Sequence, residues 1–338
     1  MSRIQFSHTY DYIISLENLL LAWKEFVVGK KNRKDVEEFQ RNLMTNIISL
    51  HTDLVNKAYK HSQYEAFNIS DPKPRNIHKA KVRDRLLHHA IYRVLYPFFD
   101  RTFITDSYSC RKNKGTHKAI NRFRKFAYQA SKNHTRTVWV LKGDIKKFFA
   151  NIDHEILKGI LRKHIQDKNV LWLLGQVIDS FSSQKHIYAI ADICSKGLPL
   201  GNLTSQLLVN IYMNEFDQFV KHKIKAKHYV RYADDFVILS QNRKWLENTI
   251  VRIKDFLENE LMLSLHPAKL SISTVASGVD FLGWVLFPDH RVVRTITKRR
   301  MFHGVKKKHG SFETVQSYLG LLSHGNARKL ESEIKNYI

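Results

Sequence analysis

Residues 228 to 240 read His-Tyr-Val-Arg-Tyr-Ala-Asp-Asp-Phe-Val-Ile-Leu-Ser, two apolar, β-prone runs meeting at the adjacent acids Asp234 and Asp235. On a hairpin these place two anions at a rigid tip. Like charges held that close repel, so a fold that keeps both ionised has divalent cations there. Asp also suits turns on its own account, and the pair alone is open to that plainer reading. A third acid, Asp144, ends the β-like run that starts at Val138 and precedes Ile145-Lys146-Lys147-Phe148-Phe149. If its strand neighbours the hairpin, Asp144 faces the pair; alone, it would equally serve as a helix cap. Asp153 suits that capping role better, ahead of a helix expected over Glu155 to Ile165. Acids 144, 234 and 235, with the backbone carbonyl of Ile145, would hold two Mg²⁺ ions about 3.5 to 4 Å apart, the spacing that stabilises attacking and leaving oxygens in phosphoryl transfer. Hard oxygen donors without His or Cys suit Mg²⁺, with Mn²⁺ as the alternative ion, rather than Zn²⁺.

The elements that must position these groups form an α+β pattern. β-like runs at Thr137 to Leu141, Tyr229 to Ala233, Phe236 to Leu239 and Phe281 to Phe287 alternate with helical runs at Leu157 to His164, Leu207 to Val220 and Leu246 to Leu261. Ahead of them, Ser15 to Tyr64 carries helical spacing, first through Leu16, Leu19, Leu20, Trp23 and Phe26, then through Phe39, Leu43, Ile47, Leu50 and Leu54. Asp71-Pro72-Lys73-Pro74 marks a turn, Arg75 to Lys81 is basic, and Leu86 to Phe99 reads as a buried helix closed by Pro97. After Phe287 the chain is basic through Lys298-Arg299-Arg300 and Lys306-Lys307-Lys308, then helical to Ile338.

Of 338 residues, 56 are Lys or Arg and 31 Asp or Glu, a net charge of +25 with a pI near 9.9. An excess spread along the whole chain points to a polyanionic partner, nucleic acid first and anionic membrane second. No stretch approaches the roughly 20 apolar residues of a spanning helix, and the first residues lack the apolar core of a signal peptide, so a cytoplasmic location and no membrane partner are expected. Cys110 and Cys194 alone support neither a disulfide framework nor a multi-cysteine zinc finger, and both are expected to be reduced and partly buried. The 18 His residues are scattered, mostly beside Lys or Arg, and a surface or RNA-facing placement is expected.

Asp144-x-x-x-x-Phe149, Leu200-Gly201-Asn202-Leu203-Thr204-Ser205-Gln206, Tyr232-Ala233-Asp234-Asp235, Leu265-His266-Pro267-Ala268-Lys269 and Phe281-Leu282-Gly283-Trp284, in that order, resemble motifs A to E of a reverse transcriptase palm. Upstream, Arg83-Asp84-Arg85 with His88-His89, and Ser107 to His117, resemble the fingers of bacterial group II intron-like enzymes. The resemblance covers roughly residues 60 to 335. It implies a right-hand polymerase with an antiparallel palm sheet: an N-terminal helical segment at 1–60, fingers at 61–136 with part of 155–198, palm at 137–290 and thumb at 291–338.

That resemblance carries roles onto individual residues. Asp144, Asp234 and Asp235 would carry the metals, or Asp235 would stand closer to the primer end than to a full ligand position. Phe149 would lie beneath the incoming sugar and exclude a 2′-hydroxyl, unless it is a core residue beside Phe148. Lys269 would protonate the departing pyrophosphate, unless it is a solvated surface lysine, and Arg75, Lys79 and Lys81 are candidates to clamp the triphosphate. Leu200, Gly201 and Gln206 would border the nascent pair; Phe281, Leu282, Gly283 and Trp284 would meet the primer. The run Thr297 to Lys308, with Arg299, Arg300, Lys306 and Lys307, would grip the template-primer backbone, or be an ordinary helix with solvated lysines. In many reverse transcriptases motif B is Gln-Gly-x-x-x-Ser-Pro, and here Leu200 fills the Gln slot and Gln206 the Pro slot. This variant resembles reverse transcriptases of diversity-generating retroelements, which copy a template RNA with errors at adenines; an apolar Leu removes an amide from the nascent pair and leaves fewer contacts against a wrong partner, though the change is also open to a neutral reading. The partners implied are template RNA, a cDNA or DNA primer, dNTPs and a pentameric accessory variability protein. The alternatives are a defence-associated or intron-derived reverse transcriptase acting on its own noncoding RNA, or a maturase-like RNA-binding scaffold with a vestigial site.

Overall fold

The computed structural model describes residues 5–70, 74–183 and 195–337; Cys194 and Asp71-Pro72-Lys73 of the expected turn lie outside the described residues. In chain order the helices are α1 (Tyr10–Ile14), α2 (Leu16–Phe26), α3 (Lys34–Arg41), α4 (Leu43–Val55), α5 (Val82–Asp100), α6 (Thr116–Ala130), α7 (His154–Arg162), α8 (Lys168–Asp179), α9 (Leu203–Gln218), α10 (Arg243–Leu261), α11 (Thr295–Lys307), α12 (Phe312–Leu322) and α13 (Arg328–Lys335). The strands are β1 (Glu65–Ile69), β2 (Arg75–Lys79), β3 (Trp139–Asp144), β4 (His228–Tyr232), β5 (Asp235–Ser240), β6 (Ser271–Thr274), β7 (Val279–Phe281), β8 (Trp284–Leu286) and β9 (Arg291–Val293). Every pairing between these strands is antiparallel, and the chain divides into two compact units.

The first unit comprises Met1–Ile104, Lys146–Gln218 and Phe256–Ser264. Helix α2 packs on α5 and buries Leu19, Trp23 and Phe26 of the expected face together with Ala22, whereas Leu16 is exposed and Leu20 half-buried. Ser15 caps it by accepting from the Asn18 amide, while buried Asn18 donates its side-chain amide to the carbonyls of Ile13 and Ala90, so the polar group inside the helix pair is satisfied. The expected helical stretch from Ser15 to Tyr64 is interrupted: turns at residues 27–33 separate α2 from α3, and the chain is irregular from Ala58 to Tyr64 before entering β1. Strands β1 and β2 were hidden in sequence by short, charged segments, yet they pair from Glu65↔Lys79 to Ile69↔Arg75. Pro97 does not close α5, which runs on to Asp100; a proline in the last turn forfeits one terminal hydrogen bond, a small loss beside the buried Val94, Leu95 and Phe99 around it. Asp153 does cap α7, accepting from the amides of Glu155 and Ile156. Not all histidines are on the surface: His88 and His154 are buried, the latter with Nε2 2.7 Å from the Gly197 carbonyl oxygen.

The second unit comprises Thr105–Ile145, Phe219–Asp255 and Leu265–Ile338. Its main sheet has the order β4-β5-β3-β6. Phe236 to Leu239 are all buried, the continuous apolar run of a strand covered on both faces rather than the alternation of a half-exposed one. Helix α6, hidden in a basic segment, lays Ile120, Phe123, Phe126 and Ala127 against Val140, Val230, Val237 and Leu239. The expected single strand from Phe281 to Phe287 is two, β7 and β8, because Leu282 and Gly283 take left-handed φ of 51° and 87° and turn the chain. A C-terminal trio, α11 to α13, closes on Met301, Val305, Val315, Leu322 and Ile334. Cys110 is exposed, not partly buried. The expected 137–290 segment is therefore shared between the two units, and residues beyond 291 belong with the main sheet.

Candidate active site

Strand β3 ends in Asp144, β5 begins with Asp235, and the register makes them direct cross-strand partners. Cross-strand partners project from one face with their Cβ atoms about 4.5 to 5.5 Å apart. The β4–β5 hairpin is tight: Tyr232 pairs with Asp235, leaving Ala233 and Asp234 as the turn, with Ala233 at φ 53°. The Ile145 amide donates to the Asp234 carbonyl at 3.2 Å and the His266 amide to the Asp144 carbonyl at 2.7 Å, tying the end of β3 both to the hairpin tip and to the segment before Lys269. Asp144 is no helix cap. Its carboxylate is buried and faces the Lys269 ammonium, which lies 2.8 Å from each of its oxygens. One residue earlier Gly143 sits under the Phe236 ring, where a Cβ would come within 2.4 Å of Cζ. Glycine is what lets the ring cross the strand there.

The electrostatics follow from this crowding. Burial, then the charges of Asp234 and Asp144, raise Asp235 to about 7. Three carboxylates and a carbonyl are a hard-oxygen donor set, and the buried Asp235 is pushed up by desolvation first and by the neighbouring acids second, so the residues fit divalent Mg²⁺. Among the described residues no group of three or more His, Cys, Asp or Glu forms a ready cage for an ion. Lys269 instead meets Asp144, closer to the acids than a role toward pyrophosphate alone anticipates.

In the first unit the structure brings together some of the expected nucleotide-facing residues. A cavity of about 370 Å³ is lined by Lys79, Gly201 and Gln206, by Arg85 of the expected fingers motif, and also by Lys30 and Arg33, which sequence reading did not single out. Their signal was present in the Lys30-Lys31-Asn32-Arg33 run. The Leu200 carbonyl accepts from the His78 amide at 3.1 Å, and Asn202 donates its side-chain amide to the His78 carbonyl, which docks this loop on β2. Gly201 has φ 104°, and a Cβ there would approach Ile77 Cγ2 to 3.0 Å. Lys79 is already paired with Asp35 at 2.7 Å, Arg75 is exposed at the start of β2, and Lys81 is exposed just before α5; neither Arg75 nor Lys81 lines the cavity. Half-buried Phe149 sits edge-on to Phe148, and its carbonyl accepts from Leu198 at 2.8 Å.

The expected primer-facing motif divides. Phe281 and Trp284 are core residues, 0% and 2% exposed, so their side chains are not available to a primer; the intervening Leu282-Gly283 turn is half-buried. On α11, Lys298, Arg299, Phe302, His303 and Lys306 share one face along a groove of about 490 Å³. Lys307 is exposed and Arg300 half-buried, and both lie off that face.

The profile of the family described as "Reverse transcriptase (RNA-dependent DNA polymerase)" matches residues 62–286. The chain is 28% identical over 257 residues to "Protein YkfC" of Escherichia coli (strain K12), covering 65% of this chain and 66% of that protein. It is 25% identical over 282 residues to "Group II intron-encoded protein LtrA" of Lactococcus lactis subsp. cremoris, covering 64% of this chain and 44% of that protein. A 110-residue stretch is 24% identical to "Nuclear intron maturase 1, mitochondrial" of Arabidopsis thaliana, covering 32% of this chain and 14% of that protein. The chain thus spans just under two thirds of the first relative and less than half of the second. No helix among the described residues is long and apolar enough to cross a membrane.

Proposed function

The chain belongs to the reverse transcriptase family, and from that premise we propose that it is an RNA-directed DNA polymerase, extending a DNA 3′ end on an RNA template in a right-hand fold of fingers, palm and thumb. The observation that carries this reading is the cross-strand pairing of Asp144 with Asp235 beside the Asp234 hairpin tip. Asp144, Asp234 and Asp235, with the Ile145 carbonyl, would hold two Mg²⁺ ions, which when bound supply Lewis acidity to the attacking and departing oxygens. Lys269 balances the Asp144 charge and is an ammonium donor beside the acids, able to give a proton to a leaving phosphate. Gly201 and Gln206, which line the cavity of about 370 Å³, would border the incoming nucleotide, and Phe149, which is not among that cavity's lining residues, would screen its sugar. Primer extension by the intact chain, with Asp234→Asn as control, tests this; no Mg²⁺-dependent incorporation by the wild type on any RNA template would overturn it.

Leu200 and Gln206 in motif B favour an error-prone enzyme of the diversity-generating type, working with a pentameric accessory protein. Sequencing cDNA made by the wild type and Leu200→Gln tests this, an unchanged adenine error rate counting against it. The intron-encoded relatives favour a second reading, a reverse transcriptase serving its own intron-like RNA. Genes and repeats flanking the coding sequence discriminate the two.

A further inference from the structure

Between Asp106 and Asp144 the chain has no acidic residue at all, while carrying Arg111, Lys112, Lys114, Lys118, Arg122, Arg124, Lys125, Lys132, Arg136 and Lys142. Helix α6 spends its apolar face on the main sheet, so its outer face is left to Lys118, Asn121, Arg124, Lys125, Tyr128 and Gln129, all exposed. The next loop extends that face. Lys132, Asn133 and His134 take φ of 51°, 62° and 66°, three successive left-handed residues without a glycine. Ser131 holds the loop by accepting from the His134 amide at 2.8 Å, and the Thr135 hydroxyl donates to the Lys132 carbonyl at 2.7 Å. Backbone strain of this kind persists where surrounding structure enforces it and concentrates at functional surfaces. Its result here is to raise the His134 ring against Tyr128, centroids 5.3 Å apart, with Tyr128 48% exposed among the cations.

We infer that the outer face of α6 and the 131–136 loop form a second nucleic-acid surface that binds a single-stranded RNA segment by phosphate contacts and by stacking a base on Tyr128. Charge complementarity selects a polyanion: Lys125, Lys132 and Arg136 have no ion-pair partner among the described residues. An exposed aromatic between lysines selects a strand with unpaired bases, since stacking needs a free π-face and a duplex offers none. The site is separate from the carboxylates. The loop enters β3 at Trp139 and the strand reaches Asp144 five residues later, roughly 17 Å away at a strand's rise. The inference rests on the polymerase reading for the identity of the RNA, a portion of the template molecule that is not being copied, but the binding itself does not require catalysis.

The test uses the full chain and two probes, a 40-nucleotide single-stranded RNA and a short blunt RNA–DNA template-primer duplex. The triple variant Lys125→Glu, Lys132→Glu, Arg136→Glu should bind the single strand at least tenfold more weakly, with the slope of log affinity on log salt reduced by about 2 for three lost contacts. Its duplex affinity and thermal midpoint should stay at wild-type values. Tyr128→Ala should weaken the single strand several-fold without changing that slope, and Tyr128→Phe should restore it. Unchanged single-strand affinity in the triple variant overturns the inference and leaves the face to an acidic protein partner, and an equal loss on both probes overturns it as a general charge effect. Wild type that binds the single strand but extends no primer would count against the polymerase reading alone.

Discussion

At the scale of residues, Asp235 joins structure to chemistry. Its pKa is raised to about 7, first by burial and then by the neighbouring acids. An acid whose folded value lies above its unfolded value binds its proton more tightly in the native state, so stability falls as pH rises from about 4 through 7. In the absence of divalent ions Asp235→Asn should therefore raise the thermal midpoint at pH 8 and leave it nearly unchanged only below about pH 4, where Asp235 is protonated in both the folded and the unfolded chain; equal midpoints at pH 8 would contradict this charge crowding. Asp144→Asn and Asp234→Asn should each lower primer extension by a factor of about 10³ or more, since each removes an anionic donor from the reacting centre. Lys269→Ala leaves the buried Asp144 carboxylate without its ammonium.

At the scale of elements, the register of β3 against β5 is what aligns Asp144 with Asp235, and Gly143 is the residue on which that register depends. Gly143→Ala would put a methyl 2.4 Å from Phe236 Cζ, and the shift it forces should destabilise the chain by about 1–3 kcal/mol. Denaturant unfolding measures this, and a neutral result would mean that the ring can move aside. Helix α5 makes a different prediction. Burial, then Lys30 and Arg85, lower His89 to about 4, and burial with His61, His89 and Arg85 holds His88 well below the usual imidazole value. A depressed histidine binds protons more tightly when unfolded, so this stability is present above about pH 6.5 and lost as pH falls toward 4. The thermal midpoint should drop between pH 6.5 and 4.5, and His89→Gln should flatten that drop; an unaltered pH slope in the variant would show that the burial is not maintained.

At the scale of the whole molecule, the net charge of +25 supplies a long-range field for nucleic acid. Arg299→Ala and Lys306→Ala on the open face of α11 should each weaken template-primer binding regardless of sequence and lower the salt slope by about 1; a sequence-dependent effect would speak against backbone contact. The amino-acid sequence determined the three acids, the order of the motifs and most helices with strong apolar periodicity, because those depend on residue type and local spacing. It left β1 and β2 unseen, since short charged strands are stabilised by a partner and not by their own pattern. It also misplaced Phe281 and Trp284: a motif tells which residues recur together, not which way a two-residue turn at Leu282-Gly283 aims them. Whether Asp144 would cap a helix or face Asp235, and whether Lys269 would stand in solvent or on Asp144, were settled by pairing between segments more than 90 residues apart. Such contacts are chosen by the burial and hydrogen bonding of the assembled sheet, which no local window of sequence contains.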